Sequence, residues 1–141
     1  MDLRSASSET DIARGEWLRV VVVLDDDPAV ANAMALLLDT YGYRTVLAAC
    51  VEEAVDRLEE IGRAPDLLLC DYRLRNQATG IEAIRRIRSM TSRTIPAIVI
   101  TGDISSAVPE AVATLDRCEC LCKPLEVDTL LALMGRLLES G

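Results

Sequence analysis

Five short strand-like runs, alternating with stretches of helical spacing, constrain this chain more than any other feature of its sequence. They are Val20-Val21-Val22-Val23-Leu24, residues 44–49, Leu67-Leu68-Leu69-Cys70-Asp71, Pro96-Ala97-Ile98-Val99-Ile100, and the run from Cys118 to Cys122. Runs this short cannot make helices of their own, and the first, third and fourth are too uniformly apolar for strands with one wet face. Strands alternating with helices imply right-handed crossovers, hence an α/β, doubly wound (βα)5 fold with a five-stranded parallel sheet covered on both faces.

The intervening segments carry helix signals. Asp27 is placed to cap and Pro28 to occupy the first turn of a helix marked by Val30, Met34, Leu37, Leu38 and Tyr41, which Gly42 stops. Ala54, Leu58 and Ile61 mark a second, with Glu52, Glu53, Glu59 and Glu60 facing water. Thr79-Gly80-Ile81-Glu82 fits a capping box opening a third, with Ile81, Ile84 and Ile87 inside and Arg85, Arg86 and Arg88 on a solvated outer face. A short fourth helix is predicted over 106–115, and a fifth with Val127, Leu130, Leu131, Met134 and Leu138 on one face. Residues 1–17 are polar and read as a flexible tail before a single domain over 18–141, with the packing of Trp17 left open.

A formal net charge of −8, from 23 acidic and 15 basic residues, argues against a nucleic-acid backbone or anionic membrane as partner. There is no membrane-spanning apolar run and no signal-peptide pattern, so a cytoplasmic location is expected. With no histidine, the chain holds no His-based triad, no His-containing zinc site and no histidine phosphodonor of its own. Lys123 is the only lysine beside 14 arginines, which points to one place needing a compact ammonium. The five cysteines read as small buried hydrophobes and not as a redox or metal site; C-x-C-x-C on a strand lacks the fourth ligand and loop geometry of a thiolate metal site.

In open parallel sheets ligands bind at the carboxyl ends of the strands. Those ends carry Asp25 and Asp26, Asp71, Thr101 and Lys123. Clustered carboxylates repel unless a cation neutralises them, and Mg²⁺ suits carboxylates while keeping positions for phosphate oxygens. One carboxylate can then act as nucleophile on a phosphoryl group, with a lysine and a hydroxyl on the remaining oxygens. Gly102 leaves room for its backbone N–H to approach.

Val23-Leu24-Asp25-Asp26-Asp27-Pro28, Cys70-Asp71-Tyr72-Arg73-Leu74 followed by Gly80, Thr101-Gly102 and Lys123-Pro124, in this order and at these strand ends, resemble the receiver domain of two-component response regulators over residues 18–138. The resemblance implies a flavodoxin-like strand order 2-1-3-4-5, Asp71 as phosphoacceptor, and Mg²⁺ held by Asp25, Asp26, Asp71 and the backbone carbonyl of Arg73. Thr101, Lys123 and the backbone of Tyr72 and Gly102 would contact the phosphoryl group, and the Lys123–Pro124 bond would be cis. It further implies a phosphoacceptor module that catalyses only its own phosphorylation and dephosphorylation. A histidine kinase or histidine phosphotransfer protein would be the donor and an unknown downstream protein the target. The face of the fourth helix, fifth strand and fifth helix, with Glu110, Asp116, Arg117, Glu119 and Arg136, is either a place for homodimer pairing or an ordinary soluble surface. Asp71-Tyr72-Arg73-Leu74-Arg75 with Thr79-Gly80-Ile81-Glu82 is most similar to receivers at the C-terminus of hybrid histidine kinases, so the chain is either a freestanding receiver or part of something longer.

Cys120 stands where receivers carry an aromatic residue that turns inward on phosphorylation, so output is expected to rest on Thr101, its loop and the fourth helix. Arg73 and Asp103 flank the opening to the phosphoryl site, either as a pair that slows hydrolysis or as two solvated charges. A Mg-dependent phosphohydrolase would need an acid two residues after the nucleophile, where Arg73 stands. An interaction module that is never phosphorylated has no physical reason to keep three mutually repelling acids. A flavodoxin-like cofactor carrier would place a phosphate-cradling loop, not acids, after the first strand.

Overall fold

The structure, a computed structural model, describes residues 18–102, 105 and 107–139. The tail expected at residues 1–17, Trp17 within it, and Asp103 lie outside them. Five strands, β1 (Val20–Leu24), β2 (Arg44–Ala48), β3 (Leu67–Asp71), β4 (Ala97–Thr101) and β5 (Cys118–Cys122), form one parallel sheet in the order β2-β1-β3-β4-β5. Between and after them run α1 (Pro28–Thr40), α2 (Val51–Ile61), α3 (Gly80–Thr91), α4 (Ala107–Ala113) and α5 (Val127–Glu139). The expected doubly wound order is therefore observed.

Side-chain alternation along the strands builds two cores. Val20, Val22, Leu24, Leu68, Cys70 and Val99 pack with Ala54 and Leu58 of α2, Ile84 and Ile87 of α3, and Val108 of α4. Val21, Val23, Leu67, Leu69, Ile98 and Ile100 pack on the other face with Leu38 of α1 and Leu130 and Met134 of α5. Each buried aliphatic side chain contributes about 1.5–3 kcal/mol, so a central strand buried at every position is held by both layers. Because the strands are parallel, their carboxyl ends share one rim.

Local chemistry sets the helix ends. The Asp27 carboxylate accepts from the N–H groups of Ala29 and Val30 at 3.0 and 3.4 Å, with Pro28 in the first turn. Thr79 and Glu82 cap α3 reciprocally, Glu82 N–H donating to Thr79 Oγ1 at 3.2 Å and Thr79 N–H to Glu82 Oε1 at 3.0 Å.

Four expectations need correction. In α1 only Ala31 and Leu38 are buried; Val30 and Tyr41 are 42% and 55% exposed, because the helix touches the sheet along a narrower stripe than its spacing suggests. On α5 the buried stripe is Leu130, Leu133, Met134, Leu137 and Leu138, while Val127 is exposed. Arg88 is not on a solvated face: it is half-buried and donates to Ile95 O at 2.9 Å and Asp116 O at 2.7 Å, tying α3 to the ends of β4 and β5. Arg86 does face solvent, 2.7 Å from Glu52. Of the cysteines, only Cys70 and Cys118 are buried, burial pushing the Cys118 thiol up to about 11. Cys50 and Cys120 are half-buried and Cys122 is exposed, since β5 is an edge strand and α4 beside it has seven residues. No helix among the described residues is long and apolar enough to cross a membrane.

Candidate functional site

The rim of the sheet gathers the residues singled out in the sequence. Asp71 ends β3 and Thr101 ends β4; Asp25 and Asp26 follow β1, and Lys123 follows β5. Carboxylate oxygens of Asp25, Asp26 and Asp71 all lie within 4.8 Å of one another. Lys123 Nζ is 3.4 Å from Asp71 Oδ1, and Lys123 N–H donates to Thr101 O at 2.8 Å, so the ladder between β4 and β5 fixes where the ammonium starts. Thr101 is the single buried polar residue among the described residues.

The acids are held as well as gathered. Asp27 N–H donates to Asp25 Oδ1 at 2.9 Å, so the residue that caps α1 also orients Asp25. Burial pushes the Asp25 carboxyl above the ordinary carboxylate range; Asp71 and Asp26 reinforce this, while the Asp27 N–H and Lys123 oppose it. Such a trio, oxygen-only and negatively charged, fits a hard divalent cation with oxygen ligands, and Mg²⁺ meets that description.

The loop after β3 is folded back on itself. Arg73 bridges Thr79 in an antiparallel pair whose hydrogen bonds are made by the neighbours: Leu74 N–H to Ala78 O at 2.9 Å and Gly80 N–H to Tyr72 O at 2.8 Å. The carbonyl of Arg73 is thus not used in the bridge. Tyr72 N–H donates to Ile100 O at 2.8 Å within the sheet, so a phosphoryl oxygen there would share its hydrogen. Gly102 is exposed beside Lys123, and a Cβ on it would stand 4.0 Å from Lys123 Cδ. The Lys123–Pro124 bond is cis, as expected.

Two contributors escaped sequence reasoning. Gly80 matters for more than its place after the Thr79 cap: a Cβ there would lie 2.6 Å from the Asp71 carbonyl oxygen, so only glycine lets α3 start this close to the acid's backbone. Glycine directly inside a helix start, where better helix formers fit, was the available signal. The second is a cavity of about 280 Å³ lined by Val23, Val30, Met34 and Leu125 together with Asp25, Asp71 and Lys123.

Comparison with known proteins places this geometry. The family described as response regulator receiver domain matches residues 21–134. The chain belongs to that receiver family. Curated relatives of this receiver include the transcriptional regulatory protein ZraR of Klebsiella oxytoca, 34% identical over 82% of the chain and 25% of the relative. Others are the CAI-1 autoinducer sensor kinase/phosphatase CqsS of Vibrio cholerae, 33% identical over 80% of the chain and 16% of the relative, and response regulator MprA of Mycobacterium avium, 35% identical over 84% and 50%. The receiver thus spans half or less of the length of these relatives. Among solved structures, a response regulator from Chloroflexus aurantiacus superposes with TM-score 0.70 at 30% identity, covering 86% of this chain and 98% of that one. A CheY-like receiver from Methanospirillum hungatei has the same fold, with TM-score 0.74 at 22% identity over 87% and 95%. Receiver domains are phosphoacceptor modules of two-component signal transduction and not enzymes acting on an external substrate.

Proposed function

We infer that this receiver accepts a phosphoryl group on Asp71 from a phosphohistidine of a histidine kinase or histidine phosphotransfer protein. The observation that carries the reading is the meeting of three carboxylates within 4.8 Å with an ammonium 3.4 Å from the central one. Asp25, Asp26, Asp71 and the Arg73 carbonyl would hold Mg²⁺, which when bound offsets negative charge on the acids and on the phosphoryl oxygens. An oxygen of Asp71 attacks phosphorus in line with the imidazole nitrogen; the P–N bond breaks and its electron pair stays with the nitrogen. Lys123 leaves its ion pair with Asp71 to meet one phosphoryl oxygen, and the Thr101 hydroxyl with the Gly102 and Tyr72 N–H groups receives the others. The transfer asks the protein mainly for position and fixed charge.

The signal leaves through altered protein binding, from a single-domain regulator or from the receiver portion of a hybrid kinase. The sequence from Asp71 to Glu82 suits the second, while the relatives include both response regulators and a sensor kinase/phosphatase. Cys120 occupies the usual aromatic position, so output rests on Thr101 and on α4, with the face of α4, β5 and α5 available for pairing. Phosphorylation should move NMR resonances of α4 and β5, and unchanged spectra there would remove that route.

The direct test is incubation with acetyl phosphate and Mg²⁺ followed by mass mapping. One acid-stable, base-labile phosphoryl group on Asp71 is expected, absent in Asp71→Asn and without Mg²⁺. No label would leave a receiver-like interaction module in its place, and label that survives Asp71→Asn would overturn Asp71 as the acceptor.

A further inference from the structure

The C-x-C-x-C run of β5 has no part in the phosphoryl site, and the structure gives it a layout of its own. Strand alternation puts Cys118, Cys120 and Cys122 on one face of β5 and Leu121 on the other: Cys118 and Cys120 pack against the core of α2, α3 and α4, Leu121 against that of α1 and α5. Exposure rises along the strand, from Cys118 at 9% through half-buried Cys120 to exposed Cys122. Two neighbouring thiols on one face of an edge strand are therefore accessible.

Their spacing selects what they can bind. Residues two apart on a strand have Cα atoms roughly 6.6 Å apart, at about 3.3 Å per residue. A disulfide wants Cβ atoms about 3.8 Å apart. Cys120 and Cys122 are held in register opposite Val99 and Thr101, so the strand would have to buckle to bring them that close. An atom bridging the two sulfurs removes the difficulty, since two metal–sulfur bonds of about 2.3 Å span up to roughly 4.6 Å between the sulfurs. A tetrahedral zinc site is excluded: among the described residues the only group of three close metal-ligating side chains is Asp25, Asp26 and Asp71.

We propose that Cys120 and Cys122 form a two-sulfur site for a soft thiophilic centre, Cu(I) or trivalent arsenic. The division of labour follows ligand softness, with thiolates taking the soft centre and the acids of the rim the hard one. With an organic arsenoxide, two As–S bonds form, the oxygen leaves as water with both thiol protons, and no oxidation state changes. With Cu(I), both protons pass to solvent.

The full chain, reduced and metal-free, is titrated with phenylarsine oxide, read by intact mass, and with Cu(I) against a chromophoric Cu(I) chelator. One equivalent of at least one probe is expected, released by a dithiol and retained against a monothiol. Chelation by two linked sulfurs predicts that Cys122→Ser and Cys120→Ala each weaken binding at least about 100-fold. Cys50→Ser should leave it unchanged. Retention of arsenic alone or copper alone identifies which centre the site takes. Because Cys122 is exposed, Cys122→Ser keeps the fold, and far-UV circular dichroism of both variants separates lost binding from lost structure. Binding of neither probe, or binding unaffected by either substitution, overturns the proposal. Neither readout passes through Asp71, so its failure and that of the phosphoacceptor reading are separable.

Discussion

Asp25 shows how one side chain can be costly alone and useful in company. Its carboxyl lies above the ordinary carboxylate range because it is partly buried beside Asp71 and Asp26. A group whose folded pKa is raised binds more protons in the native than in the unfolded state, so the contribution of Asp25 to the stability of the metal-free domain falls as pH rises from the unfolded value of 3.8 through the folded one. In chelator at neutral pH, Asp25→Asn should therefore raise the melting temperature and flatten its fall between acid and neutral pH; a lower melting temperature would contradict this. Gly80 is constrained more strictly. A Cβ 2.6 Å from the Asp71 carbonyl cannot be relieved by a rotamer change, since the atom it meets is backbone. Gly80→Ala should cost about 1–3 kcal/mol in urea denaturation, and it should slow labelling of Asp71 by moving the start of α3. The acids, Thr101 and Lys123 were legible in the sequence because each ends a recognisable strand. The steric role of Gly80 was not, because it depends on how near a helix comes to a strand that precedes it by nine residues.

Elements differ in how much of their placement is written locally. The strands and the caps of α1 and α3 are, since β-branched runs, Asp27-Pro28 and Thr79 with Glu82 act within a few residues. Which face of a helix is buried is not. α1 carries no charged residue from Pro28 to Leu38 yet buries only Ala31 and Leu38, leaving Leu36 71% exposed, because apolar spacing records what can be buried and the sheet decides what is. Arg88 is the reverse case, a charged residue on a helix surface that turns out to serve three carbonyls, those of Ile95, Asp116 and Arg117. Its substitution by Met keeps the stem and removes the donors, leaving part-buried carbonyls at the junction of β4 and β5 without that partner. A loss of about 1.5–3 kcal/mol is expected, read as a shift in the urea midpoint at unchanged slope. A loss below about 0.5 kcal/mol would mean that water replaces the guanidinium.

The whole molecule separates its tasks by position, with the acids and Lys123 at one rim of the sheet and Arg88 at the other end. Binding a divalent ion to the rim stabilises the folded state only, so Mg²⁺ at about 100 times its dissociation constant should add roughly 2.7 kcal/mol. Asp26→Asn should abolish most of that increment in a calorimetric scan while altering the metal-free melting temperature little. The alternation of buried residues along the strands has a consequence for how this molecule breathes. Val99 and Ile98 are adjacent in the chain but face different cores, Val99 toward α2, α3 and α4 and Ile98 toward α1 and α5. The sheet is a wall between two compartments, and each is expected to loosen on its own. Amide hydrogen exchange should register it: Val99→Ala should speed exchange in α3 and α4 while α5 keeps its protection, and Ile98→Ala should do the opposite.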